Sequence, residues 1–271
     1  MSNKTQDELK SEYEKALEQA KARKLVLPGD EIGYGIAGSG TYIDKGVVVS
    51  KTLGLADEKN GTKFVIPLSG VYSPKKGDGV IGIIKDIVSS KWIVDINSPY
   101  LAALSLSDAL NEFIDLTKND LTRYYDIGDV IFTKVLNVSK NKLITLTMKD
   151  KRCRKLYGGI IIKVTPSKVP RIIGRKGSMV ELIKEKTGCQ IVVGQNGLIW
   201  IKGEHKRLAV EAILRIESYA HKVGLTDKIK EFLDAMLAKM NKAKQERIKE
   251  EELAIDVTIE MEEEKKEDLS S

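Results

Sequence analysis

Ile172-Ile173-Gly174-Arg175-Lys176-Gly177-Ser178 is the stretch on which the reading of this 271-residue chain turns. Two glycines flank two basic residues. A glycine has no Cβ, so its backbone can lie against a phosphate. A helix opening at Ser178 would offer the same anion its unpaired N–H groups. Arg175 and Lys176 add charge. Working outward, Val169 to Ile173 and Ser178 to Lys186 read as the two short helices that the loop joins. Ile160 to Val164 reads as a strand before them. Gln190 to Val193 and Leu198 to Lys202 read as a hairpin after them. Leu208 to Val223 reads as a helix with Leu208, Ala212, Ile216 and Tyr219 on one face. The order is βααββα.

A Gly-x-x-Gly alone is a weak signal. Inside a βααββα unit, behind a pair of isoleucines, it follows the logic of the KH loop, which clamps about four nucleotides along their backbone. The candidate RNA-binding residues here are Gly174, Arg175, Lys176 and Gly177, with Lys168 and Arg171 from the same basic run. The hairpin turn Gly194-Gln195-Asn196-Gly197 resembles a second phosphate loop, but no helix follows it. Asn-Gly favours the primed turns that match strand twist. Gly194, Asn196 and Gly197 are therefore read as a structural turn.

Toward the N-terminus, Val80 to Val88, Trp92 to Ile96, Tyr100 to Leu106, Val130 to Val138 and Leu143 to Met148 read as five short strands, with a polar helical stretch from Asp108 to Tyr125 between the third and fourth. That pattern predicts a small Greek-key barrel of the OB type. Trp92 either stacks a base or fills the end of the barrel. Tyr100, Arg123 and Tyr124 fall on or near loops, as RNA contacts or as ordinary surface residues. Leu25 to Tyr72 is Gly-rich with β-branched runs and turn signals, and predicts a small all-β domain. Within it, Gly33-Tyr-Gly35-Ile-Ala-Gly38 matches a dinucleotide-binding pattern, with Asp57 downstream. No helix opens after Gly38 and no βαβ unit can be drawn, so the glycines are assigned to tight β turns and no cofactor is expected. Residues 1–24 read as a charged helix or arm, and 225–271 as an amphipathic helix followed by an acidic tail.

Charge supports a polyanionic partner. The chain is +6 overall, but residues 246–271 hold 11 acidic and 4 basic residues, which leaves +13 on the remainder. Residues 149–176 hold ten basic residues against a single acid, Asp150. Two cysteines and two histidines, far apart, do not make a zinc site, so no metal is expected. No acid/base or nucleophile constellation is legible, so no catalytic residue is expected. No run approaches the roughly 20 apolar residues that cross a bilayer. No secretory signal is legible either, and a cytoplasmic protein that binds no membrane is expected.

Leu27-Pro28-Gly29-Asp30, Gly38-Ser-Gly40-Thr41-Tyr42, Val94-Asp95-Ile96-Asn97, the Gly-Arg-Lys-Gly loop and the Gly-Gln-Asn-Gly hairpin ending in Trp200 together resemble the RNA-binding cap subunits of the archaeal exosome, over about residues 25–222. The resemblance implies a multidomain, mainly β plus α+β chain: a ring-docking β domain at 25–72, an OB-type domain at 73–152, a KH domain at 153–224 and a C-terminal helix. It further implies a non-catalytic subunit that binds single-stranded RNA. Three copies would sit on a ring of RNase PH-like subunits and feed RNA 3′ ends to 3′-to-5′ phosphorolysis, with a preference for A-rich tails in some members. It offers no role for the C-terminal helix and acidic tail. The rival readings are a free-standing RNA chaperone or translation-associated RNA-binding protein, and an RNA-degrading phosphorylase. The latter would need a catalytic core for which no segment is left.

Overall fold

The computed structural model describes residues 23–110, 121–220 and 224–240. The expected N-terminal arm, most of the polar helical stretch between the third and fourth barrel strands, His221 and the acidic tail lie outside the described residues. The described chain forms two compact units. One holds the residues up to Tyr157 together with 163–170 and 193–198, and the other holds 158–162, 171–192 and the chain from Ile199 onward.

The first unit opens with seven short strands: β1 (Leu25–Val26), β2 (Glu31–Gly33), β3 (Ile36–Ala37), β4 (Thr41–Asp44), β5 (Val47–Ser50), β6 (Gly54–Lys59) and β7 (Thr62–Pro67). They make a four-stranded sheet in the order β1-β6-β7-β3 and a three-stranded sheet in the order β2-β5-β4. The β6–β7 hairpin turns at Asn60-Gly61 and the β4–β5 hairpin at Lys45-Gly46, both with positive φ at both central residues, the geometry that fits the right-handed twist of paired strands. Val26, Val48, Val49 and Val65 form the small core. The Gly33–Gly38 segment runs into β3, which pairs parallel with β7, and Asp57 is ion-paired to Arg23 at 2.8 Å. The pattern thus lacks the helix a dinucleotide would need.

The barrel follows: β8 (Gly79–Val88), β9 (Lys91–Asp95), β10 (Ala102–Ser105), β11 (Val130–Val138) and β12 (Ile144–Thr147). The order β12-β10-β9-β8-β11 closes on itself through a β11–β12 pairing. β10 and β12 run parallel, from Ala102 opposite Ile144 to Leu104 opposite Leu146. Alternation dictates the interior: Ile131, Thr133 and Val135 of β11 point inward and are buried. A bulge between Ile84 and Asp86 bends β8 around the barrel. A sixth strand, β13 (Arg154–Leu156), which the sequence reading does not contain, adds to the far edge of β11. After β10 comes a single helical turn, α1 (Leu106–Ala109), which packs Leu106 and Ala109 into the barrel core.

The βααββα unit has its expected order. β14 (Ile160–Lys163) leads into α2 (Val169–Ile173) and α3 (Ser178–Thr187), then β15 (Gln190–Val193), β16 (Leu198–Lys202) and α4 (Lys206–Ser218). Its sheet runs β14-β16-β15. α4 ends at Ser218, so Tyr219 is the half-exposed residue beyond the helix and not part of its buried face. Residues 225–240 are helical. Leu225, Ile229 and Leu233, spaced at four residues, are buried. The Phe232 ring lies 3.7 Å beneath the Arg215 guanidinium of α4, and Asp234 pairs with Lys186 of α3 at 2.6 Å. This helix is part of the second unit's core.

Candidate nucleic-acid interface

The helix pair around the glycine loop is built from its buried anchors. Pro166, with its fixed φ, opens a 3-10 turn over Pro166–Lys168. Val169 and Ile172 then bury α2, while Met179, Val180 and Ile183 bury α3. Between these anchors the backbone must reverse within four residues. Gly174 has φ 75° and ψ 177°. A Cβ there would lie 2.8 Å from both the Cβ and the backbone nitrogen of Met179, so only glycine fits. Gly177, at φ 87°, occupies the left-handed position that opens α3, and its N–H donates to the Gly174 carbonyl at 3.3 Å.

Lys176 is itself left-handed, at φ 51° and ψ 24°. A lysine in that region is uncommon. The conformation belongs to a tight 3-10 turn over Arg175–Gly177 that sets Arg175 and Lys176 side by side at the surface. Arg171, on α2, is exposed as well, and Lys168 is half-buried. The first turn of α3 has no side-chain cap, so its N–H groups face the loop. The carboxylate at its mouth is Glu181, whose Oε1 lies 4.0 Å from where a Gly177 Cβ would stand. Cations, bare backbone and a helix N-terminus together suit a phosphodiester.

The barrel candidates separate on burial. Trp92 is fully buried. Its Nε1 donates to the Tyr125 carbonyl at 2.9 Å, and its ring packs edge-on against the Tyr125 ring with centroids 5.3 Å apart. It fills the barrel and offers no face to a base, which corrects its place among the RNA contacts. The reason is register: Trp92 lies opposite Leu104 on the inward face of β9. Tyr124 is half-buried against the same core. Tyr100 is 46% exposed, and Arg123 is exposed at the end of a 3-10 turn that Leu121 pins to the core.

The Gly194–Gly197 turn makes contacts that local sequence could not reveal. Residues 193–198 belong to the barrel's unit. Asn196 is fully buried. Its Nδ2 donates to the carbonyls of Ile81 and Ile96 at 2.7 and 2.8 Å, and its Oδ1 accepts from the Ile81 N–H at 3.3 Å. Its own carbonyl accepts from Asn97 Nδ2 at 2.8 Å, and the Gln195 N–H donates to Gly79. A Cβ at Gly194 would lie 2.3 Å from Asn196 Oδ1. The turn is thus docked on β8 and on the exit of β9. Its partners lie about a hundred residues away, so the Asn-Gly signal identifies the turn but not what it holds.

Among the described residues no cluster of His, Cys, Asp and Glu suits a metal ion, and none of the helices could cross a membrane. Cys189 is buried and Cys153 half-buried. Burial, then the nearby Asp150 carboxylate, pushes the Cys153 thiol above its ordinary range, away from the thiolate a nucleophile needs.

Residues 71–120 match the family model described as "RRP4, S1 domain", and residues 159–207 match that of the KH domain. The chain is 43% identical over 238 residues to the "Exosome complex component Rrp4" of Thermococcus kodakarensis, spanning 85% of this chain and 91% of that one. It is 44% identical over 217 residues to its namesake in Methanothermus fervidus, spanning 79% and 96%. A crystal structure named for an exosome complex RNA-binding protein aligns with a TM-score of 0.57 at 37% identity, over 61% of this chain and 97% of the other. By these matches the chain belongs to the Rrp4 family of exosome complex components.

Proposed function

We propose that this chain is the non-catalytic RNA-binding cap subunit of an exosome. It captures single-stranded RNA and feeds the 3′ end into a phosphorolytic 3′-to-5′ exoribonuclease ring of RNase PH-like subunits. Three copies serve one cytoplasmic ring, and A-rich tails are favoured. The names of its relatives support membership of the complex. The observation that carries RNA capture is the Gly174–Gly177 loop, a glycine with no room for a Cβ followed by two adjacent exposed cations at the mouth of α3. The surface of the N-terminal strands supports docking: Tyr34, Ile36 and Ile43 are 80, 64 and 57% exposed, an apolar set of the kind that marks a protein contact.

The test is a double reversal, Arg175→Asp with Lys176→Asp. Aspartate tolerates left-handed backbone, and exposed changes usually move stability by only about 0.5 kcal/mol. The loss of two phosphate contacts should weaken binding to all single strands about equally. It should also flatten the log K against log salt plot by up to about 1.4, at about 0.7 per contact. Decay of a tailed RNA by the reconstituted ring should slow at limiting RNA and recover at saturation, because capture is impaired and chemistry is not. A folded double variant with unchanged affinity and salt slope would remove the loop from the mechanism. Release of nucleoside diphosphates by the pure chain, given RNA and phosphate, would overturn the non-catalytic assignment.

A further inference from the structure

A pocket of about 190 Å³ opens at the end of the barrel, where three segments of the first unit meet. Tyr72 and Pro74 form one wall, Pro99 and Tyr100 a second, and Lys142 with Ile144 a third. Drug-sized ligands occupy about 300–1,000 Å³, so this space suits a single planar ring system. No carboxylate lines it.

Each wall is fixed before any ligand arrives. The Tyr72 hydroxyl donates to Asp78 at 2.7 Å, and the same carboxylate oxygen accepts from the Lys75 N–H at 3.1 Å. The Ser98 hydroxyl donates to the Tyr100 carbonyl and accepts from the Tyr100 N–H. Asn97, just before it, is tied to the Asn196 carbonyl. In the third wall, the Ser139 N–H donates to the Leu143 carbonyl, the Lys142 N–H to the Ser139 carbonyl and the Leu143 N–H to the Ser139 hydroxyl. Lys142 is left-handed at φ 62°, a position at which glycine or asparagine would fit with less strain. The pocket thus offers an exposed Tyr100 ring and a lysine set at its rim. Lys75, Lys76 and Lys140 stand exposed on two of the three segments.

We propose that this pocket takes one base of single-stranded RNA, stacked on Tyr100, with Lys142 against the adjoining phosphate. The combination of an aromatic platform and flanking cations is the one that binds single strands irrespective of sequence. Rigid walls lower the ordering cost of binding. The proposal rests on the RNA-binding reading above and places a second contact on the barrel, apart from the glycine loop.

The test uses the full chain and a fluorescent single-stranded oligoadenylate. Tyr100→Ala should weaken binding about five- to tenfold, and Tyr100→Phe should keep it. Lys142→Asn, which preserves the left-handed backbone, should lower the salt slope by about 0.7. Thiouridine-substituted RNA should photo-crosslink to the peptide that carries Tyr100. The glycine-loop double reversal is run in parallel. If that variant loses affinity while Tyr100→Ala binds like the parent protein, the pocket proposal falls and RNA capture by the loop stands. If the parent protein binds no RNA, both fall. If Tyr100→Ala keeps its RNA affinity but no longer co-elutes with the ring, the pocket holds a protein side chain and the proposal is overturned.

Discussion

Asn196 shows how much one buried amide can decide. Its two donors and its acceptor meet the Ile81 and Ile96 backbone inside a fully desolvated site. Asn196→Ala would strand two carbonyls, and it should cost about 2–3 kcal/mol, read as a lower urea midpoint. Asn196→Asp should be worse at neutral pH, because a carboxylate would face two carbonyl oxygens, and partly relieved in acid as it protonates. An Asn196→Ala variant no less stable than the parent protein would mean the turn is not held there in solution. Tyr72 makes a complementary case. Burial, then its hydrogen bond to Asp78, raises its phenol far above the ordinary range. The folded state therefore keeps a proton that the unfolded chain releases near pH 10. The stabilisation is fully present below about pH 10 and is lost as pH rises past it. Tyr72→Phe should lose less stability than the parent protein between about pH 8 and pH 11, measured by urea unfolding at each pH. An identical pH dependence would contradict this account.

At the scale of elements, the helix at 225–240 is where the structure adds most. The sequence shows an amphipathic, charged helix with no partner, and its register against α3 and α4 is a tertiary fact. Leu233 is fully buried there, so Leu233→Ala should cost about 2–5 kcal/mol and lower the melting temperature of the second unit. A change below about 0.5 kcal/mol, the level of a surface site, would mean that the helix is not docked. The strands of the barrel and the βααββα order were legible because alternation and helical spacing are local. β11 and α2 occur at the limits the pattern predicts. What was illegible is non-local. β13 is three residues long with two charged positions, and only its partner β11 makes it a strand. Trp92 reads as a plug or as a platform, and its register with Leu104 decides for the plug. The glycine loop was legible because its requirement lies in the backbone, where φ is positive and a Cβ has no room. The pocket at Tyr100 was not, since Tyr72, Tyr100 and Lys142 come together only when the barrel closes.

For the molecule as a whole, the question is whether RNA capture and attachment to the ring reside on separate surfaces, as the proposed function requires. The cations assigned to RNA sit in the glycine loop and beside the Tyr100 pocket, whereas Tyr34 and Ile36 expose apolar side chains on the N-terminal strands. Apolar burial contributes roughly 25 cal/mol per Å², so two large side chains at the centre of a contact can supply much of its affinity. Placing charge there adds the cost of desolvating that charge. Tyr34→Asp with Ile36→Asp should therefore abolish co-elution with the ring in gel filtration. Both side chains are exposed, so the free chain should fold as before and bind oligoadenylate with its affinity unchanged. The glycine-loop double reversal should behave in the opposite way, co-eluting normally and binding RNA poorly. In a decay assay the two variants then separate by dose. Excess RNA rescues the loop variant, because its defect is in capture. Excess RNA does not rescue the Tyr34/Ile36 variant, because RNA bound to a free chain never reaches the ring. If the Tyr34/Ile36 variant still co-elutes stoichiometrically, the docking surface lies elsewhere on the chain.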